Sequence, residues 1–279
     1  MGRDTTGTDR RASPWPWLGC LALAVWLSGC ASGPGAGAAG ASGARADIVT
    51  ESDEPETRKR ARIRLELAVG YFEQGQTSVA LDELKQSLAA DPGYAEAYNL
   101  RGLIYMRLND QRLAEESFRR AMTLGPNDGN ILHNYGWLLC QQARYAESLQ
   151  YFTQALANPL YRERAKTWMA QGLCQVRAGQ RVDGEASLLR SYELDAGNPI
   201  AGYNLALLLY QRGEFVRAQF YVRRLNNSEL ANSESLWLGV KVERKMDNKD
   251  ATQQLSGQLR KRFPQSREAA ALERGAFDE

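Results

Sequence analysis

The residues able to do metal or nucleophilic chemistry are few. The chain has one histidine, His133, and four cysteines, at positions 20, 30, 140 and 174. A single imidazole excludes two-histidine zinc motifs, and the cysteines show neither C-x-x-C spacing nor the density of a disulfide scaffold. No phosphate-cradling glycine loop, nucleophile elbow or dinucleotide fingerprint occurs. The expectation is a protein without catalytic residues, metal or cofactor. With 35 Lys+Arg against 33 Asp+Glu, net charge is +2, so there is no broad electrostatic footprint for nucleic acid.

Cys30 is the exception, because its neighbours give the thiol a role. Arg3, Arg10 and Arg11 precede the apolar stretch from Leu18 to Leu27. That stretch is too short to span a bilayer, for which roughly 20 residues are needed, but suits a signal-peptide core. It ends in Leu27-Ser28-Gly29-Cys30, which resembles the bacterial lipobox. Residues 1–29 then read as a lipoprotein signal peptide and Cys30 as the lipidated N-terminus. Ala31 follows where, in lipoproteins of this kind, an aspartate directs retention in the inner membrane. Its absence implies an outer-membrane anchor facing the periplasm. Residues 30–57 form the lipidated cysteine and a Gly/Ala-rich tether, which as a flexible coil spans about 30 Å.

The elements that position everything else are repeated. Units start near residues 61, 95, 129, 165, 199 and 232, close to the 34-residue period of helix-turn-helix tetratricopeptide repeats. Small residues fall at the eighth and twentieth positions, where paired helices touch. The fourth unit departs with Gly184 at its twentieth position. The fifth departs with Gly202 where Trp or Tyr is preferred. Two extra residues, around Leu160 to Arg164, precede the fourth unit and imply a changed angle there. The expected fold is all-α: a right-handed superhelical solenoid over 58–266, about twelve helices, then a C-terminal tail over 267–279 that opens as a helix. One helix pair cannot bury its apolar face alone, so neighbours stack.

In such solenoids positions 2, 5, 9, 12 and 13 of each first helix line the concave face. Positions 5, 9 and 12 give Leu65, Val69 and Phe72, then Asn99, Leu103 and Met106, then His133, Trp137 and Cys140. They continue as Met169, Leu173 and Val176, then Tyr203, Leu207 and Tyr210. This is apolar and aromatic for a wet face. One reading is a partner-binding groove with aromatic anchors; the other is that part of the set packs within the solenoid. His133 reads either as a contact to bound peptide or as a partly exposed polar group without a special role. Cys140 and Cys174 read either as small buried hydrophobes or as a disulfide, which needs Cα atoms within about 7 Å.

Three stretches narrow the family: His133-Asn134-Tyr135-Gly136-Trp137-Leu138-Leu139, Gln142-Ala143-Arg144-Tyr145-Ala146-Glu147, and Leu160-Tyr161-Arg162-Glu163-Arg164. With six units and the ending Leu259-Arg260-Lys261-Arg262-Phe263-Pro264, residues 30–266 resemble the PilF/PilW family of type IV pilus biogenesis lipoproteins. That family also carries N-Y-G in its third repeat and L-Y-x-E-R after it. His133 and Trp137 depart from its usual polar and small residues. The resemblance implies a pilotin: an outer-membrane lipoprotein that binds the pilus secretin subunit and promotes its localisation and multimerisation. A general periplasmic scaffold lipoprotein for envelope assembly is the alternative.

Overall fold

Small residues at fixed spacing let helices pair closely, and the computed structural model shows how closely. It describes residues 53–277; Cys30, the signal segment and most of the tether lie outside the described residues. Helices run in antiparallel pairs: α1 (Glu56–Glu73) with α2 (Thr77–Ala90), α3 (Ala95–Arg107) with α4 (Gln111–Leu124), and α5 (Gly129–Gln141) with α6 (Tyr145–Ala157). Then come α7 (Arg164–Arg177) with α8 (Arg181–Leu194), α9 (Pro199–Gln211) with α10 (Phe215–Asn226), and α11 (Ser233–Lys245) with α12 (Lys249–Arg262). The final helix is α13 (Arg267–Arg274). No strand occurs among the described residues. None of their helices is long and apolar enough to cross a membrane.

Within the pairs the small residue at the eighth position of the first helix lies against the second helix. A Cβ built on Gly102 would lie 2.7 Å from the Phe118 ring, and one on Gly136 3.0 Å from the Phe152 ring. Gly184 has the same reason: a Cβ there would lie 2.6 Å from Val176 Cγ2 and 3.0 Å from the carbonyl of Gly172. Two facing glycines let α7 and α8 approach nearly backbone to backbone. The turn inside each pair needs a left-handed residue. Gly75, Gly179 and Gly213 supply it at φ near +80°, while Asn109, Ala143 and Asp247 take it at φ 58°, 59° and 55°. Asp110, Asp128, Asn198, Asn232, Asn248 and Ser266 cap the following helices by accepting from free N–H groups of the first turn, the usual remedy for orphan donors there.

Every first helix from α1 to α11 packs on the next first helix, while no two second helices approach as closely among the described residues. The first helices are therefore the inner layer of a curved stack, and the second helices fan outward. Helix α13 buries Ala269 and Leu272 against Leu236, Trp237 and Leu259, closing the last apolar face.

The insertion is firmly held. The Tyr161 ring lies where a Cβ on Gly129 would come within 2.4 Å of it. Its hydroxyl is 2.7 Å from Thr167 Oγ1, which is 2.8 Å from His133 Nδ1. Position 5 of the third repeat thus meets position 3 of the fourth, although Asn99 at position 5 of the second repeat bonds Asn134 at position 6 of the third (3.1 Å). Relative to repeat register, α7 has slid along α5 by two to three residues, about 3–4 Å of helix.

Candidate protein-binding groove

Positions 5, 9 and 12 project from the inner layer, and their burial sorts them. Leu65, Phe72, Asn99, Leu103, Met106, Trp137, Met169, Leu173, Val176, Tyr203, Leu207 and Tyr210 are half-buried, and Val69 is exposed. Each apolar member has its base in the interior. Leu65, Phe72 and Leu103 pack on the cluster of Ala68, Leu84 and Ile104. Leu103 and Met106 also pack on Phe118 and Leu138. Trp137 rests on Cys140, Phe152 and Cys174, Met169 and Leu173 on Leu188 and Leu205, and Tyr203, Leu207 and Tyr210 on Leu209 and Leu238. The row is anchored on one side and open on the other, as a recognition surface requires.

Two of the expected positions are not on that surface. His133 is 5% exposed. Neither a contact to a bound peptide nor a partly exposed polar group describes it: the ring is a buried link between α5 and α7. Burial pushes its pKa down to about 3, and the charge of Lys166 adds to the shift. The shift of α7 along α5 brings Thr167 opposite the ring and makes the position interior. Cys140 is buried too, in a disulfide with Cys174 at a Cα separation of 5.8 Å.

The structure adds residues that reading positions 5, 9 and 12 passed over. The Arg107 guanidinium lies 4.0 Å from the centroid of Phe72 and donates to the Phe72 carbonyl at 2.6 Å. Arg177 lies 5.1 Å from the Trp137 ring, and the Lys241 ammonium 5.6 Å from the Tyr210 ring. Arg107 and Arg177 occupy position 13 of their repeats, so the signal was in the spacing. Cations over aromatic faces are attracted by the ring quadrupole. Here they alternate with apolar patches along the groove, which suits an apolar segment carrying acidic residues. No group of three or more potential metal ligands occurs among the described residues.

A curved stack of helix pairs with an anchored, partly open inner row defines a tetratricopeptide protein, a scaffold for holding other proteins. The tetratricopeptide repeat family model matches residues 65–129 and 136–199. The type IV pilus assembly protein PilF of Pseudomonas aeruginosa is 28% identical over 204 residues, spanning 73% of this chain and 81% of that protein. The crystal structure of PilW, described as a widely conserved type IV pilus biogenesis factor, superposes with TM-score 0.70 at 31% identity. It covers 76% of this chain and 97% of PilW. The P. aeruginosa PilF structure superposes with TM-score 0.73 at 25% identity, covering 79% and 100%. The chain belongs to the PilF/PilW family of tetratricopeptide proteins.

Proposed function

We propose that this protein acts in type IV pilus biogenesis as a pilotin, binding the secretin subunit and promoting its outer-membrane localisation and multimerisation. The observation that carries this reading is the groove of half-buried aromatic and aliphatic side chains under Arg107, Arg177 and Lys241, in a chain of the PilF/PilW family. The mechanism is binding without chemistry. A secretin segment with apolar anchors and acidic residues lies along the inner row, its rings and aliphatic groups meeting Leu103, Trp137 and Tyr210. Lipidation of Cys30 would hold the solenoid at the outer membrane, since each buried acyl CH₂ contributes about 0.8 kcal/mol and several chains share one anchor.

Photoreactive residues placed at Leu103, Trp137 and Tyr210 test the groove in cells. The expected product is a covalent adduct with the secretin at one or more of these sites, reduced when Arg177 is changed to Glu. Assembly of the secretin in the outer membrane of cells lacking this gene would overturn the function. Cys30→Ala is expected to move the protein into the soluble periplasmic fraction and to mislocalise the secretin.

A further inference from the structure

At the fourth position of the second to fifth repeats the chain carries Tyr98, Leu132, Trp168 and Gly202; the first and sixth have Arg64 and Ser235. The structure shows what the glycine leaves behind. A cavity of about 290 Å³ opens beside α9, bounded by Tyr192, Pro199, Gly202, Tyr221, Arg224 and Leu230. A Cβ on Gly202 would touch only Tyr192 Cε2, at 3.6 Å. The tight approach that explains Gly102 and Gly184 is therefore no reason for this glycine.

The walls have a definite chemistry. Tyr192 of α8 and Tyr221 of α10 meet edge to face, with centroids 5.0 Å apart. Tyr192 is 9% exposed. Its hydroxyl is buried without a hydrogen-bond partner among the described residues, so the ring and not the hydroxyl is the face that Tyr192 offers to the cavity. Arg224, exposed at the rim, has its guanidinium 5.8 Å from the Tyr192 ring centroid. Outside the cavity the aromatic surface continues through Phe220, 60% exposed and 5.1 Å from Tyr221. Tyr192 and Tyr221 come from second helices, while α9 and the loop before it close the other side of the cavity; none of the lining residues belongs to the inner row of positions 5, 9 and 12.

We propose that this cavity is a second protein-binding site, which receives a tryptophan or tyrosine side chain of a partner with an aspartate or glutamate directly after it. The ring takes the place that Tyr98 and Trp168 fill from within their own repeats. It packs against the rings of Tyr192 and Tyr221, and the carboxylate meets Arg224. Residues 30–52 and 278–279 contain no aromatic residue, so the expected mature chain has no spare ring to offer. The inference goes beyond the groove and does not rest on it.

The test is calorimetric titration of the full chain, purified in detergent, with acetyl-Gly-Trp-Asp-Gly-amide. Saturable binding is expected. The Trp→Ala peptide should bind at least about thirtyfold more weakly, as for an anchor residue, and the Asp→Asn peptide about fivefold more weakly, as for a partly exposed charge pair. Gly202→Trp should abolish binding with the helical circular dichroism unchanged, whereas Gly202→Ala should leave it intact. Gly202→Leu, following Leu132, serves if tryptophan disturbs folding. Arg224→Ser should equalise the Asp and Asn peptides. Absence of saturable binding, or equal binding by a folded Gly202→Trp or Gly202→Leu variant, would overturn the proposal. So would a wild-type dimer that Gly202→Trp dissociates, which would assign the cavity to a second copy of the chain.

Discussion

His133 Nδ1 and Thr167 Oγ1 lie 2.8 Å apart and join the first helices of the third and fourth repeats. Burial holds the imidazole neutral, its pKa reduced from 6.5 to about 3. The unfolded chain therefore takes up a proton, as pH falls through 6.5, that the folded chain refuses until about 3. Stability is fully present above 6.5 and falls by about 1.4 kcal/mol per pH unit below it. His133 is the single histidine. Urea unfolding between pH 6.5 and 5 should show that slope in the wild type and lose most of it in His133→Gln. An equal slope in both would refute the assignment.

Glu243 is 1% exposed. Burial opposes its charge, but Arg223 (2.6 Å), Gln219 (2.9 Å) and Asn248 (2.9 Å) donate to it and hold its pKa below the usual value. Arg223 is 47% exposed, so the two partners are unequal. Arg223→Ala strands a buried carboxylate and should cost about 3 kcal/mol. Glu243→Gln leaves a guanidinium that water can reach and should cost nearer 1 kcal/mol. The gap should shrink as pH falls below 4.5, where the unfolded carboxyl begins to protonate, and urea midpoints at pH 7 and 4 measure it. Equal costs at pH 7 would contradict the picture.

Ala143 occupies the left-handed turn position that glycine holds in three other repeats. For an alanine that conformation costs roughly 1 kcal/mol, and a glycine there carries no such penalty. Ala143→Gly should raise stability by about 1 kcal/mol, read as a higher urea midpoint at unchanged slope, against the usual direction of an Ala→Gly change. A lower midpoint would show that the neighbouring contacts of Ala143 matter more.

The Cys140–Cys174 disulfide closes a loop of 34 residues, for which restriction of the unfolded chain gives roughly 4 kcal/mol. Alkylation in denaturant without reductant should leave both cysteines unmodified, since each is buried in the folded chain. The paired Cys140→Ser, Cys174→Ser variant should unfold at a clearly lower urea concentration, with the helix content of the folded state retained. Rapid alkylation of the untreated protein would exclude the bond.

The repeat period, the repeat starts and the small residues at positions 8 and 20 were legible because each rests on local spacing. Gly184 looked like a departure and is a close helix contact of the same kind. What spacing could not reveal was the sliding of α7 along α5. Tyr161 and Gly129 set it by packing across the insertion, and it decides both that His133 is buried and that Cys140 meets Cys174. The cations over Phe72 and Trp137 were visible as position 13, but their pairing with rings of preceding repeats exists only once the inner helices are stacked. Gly202 was legible as an anomaly; the cavity required the neighbouring helices.

The arrangement in which inner helices touch and outer helices do not has a mechanical consequence. Each second helix also packs on the next first helix, so neighbouring repeats meet over a broad joint. Between the third and fourth repeats that joint is fastened further by a covalent bond and by the hydroxyl chain from Tyr161 to His133. The middle of the stack is therefore its stiffest part, and any change of curvature falls to the joints on either side.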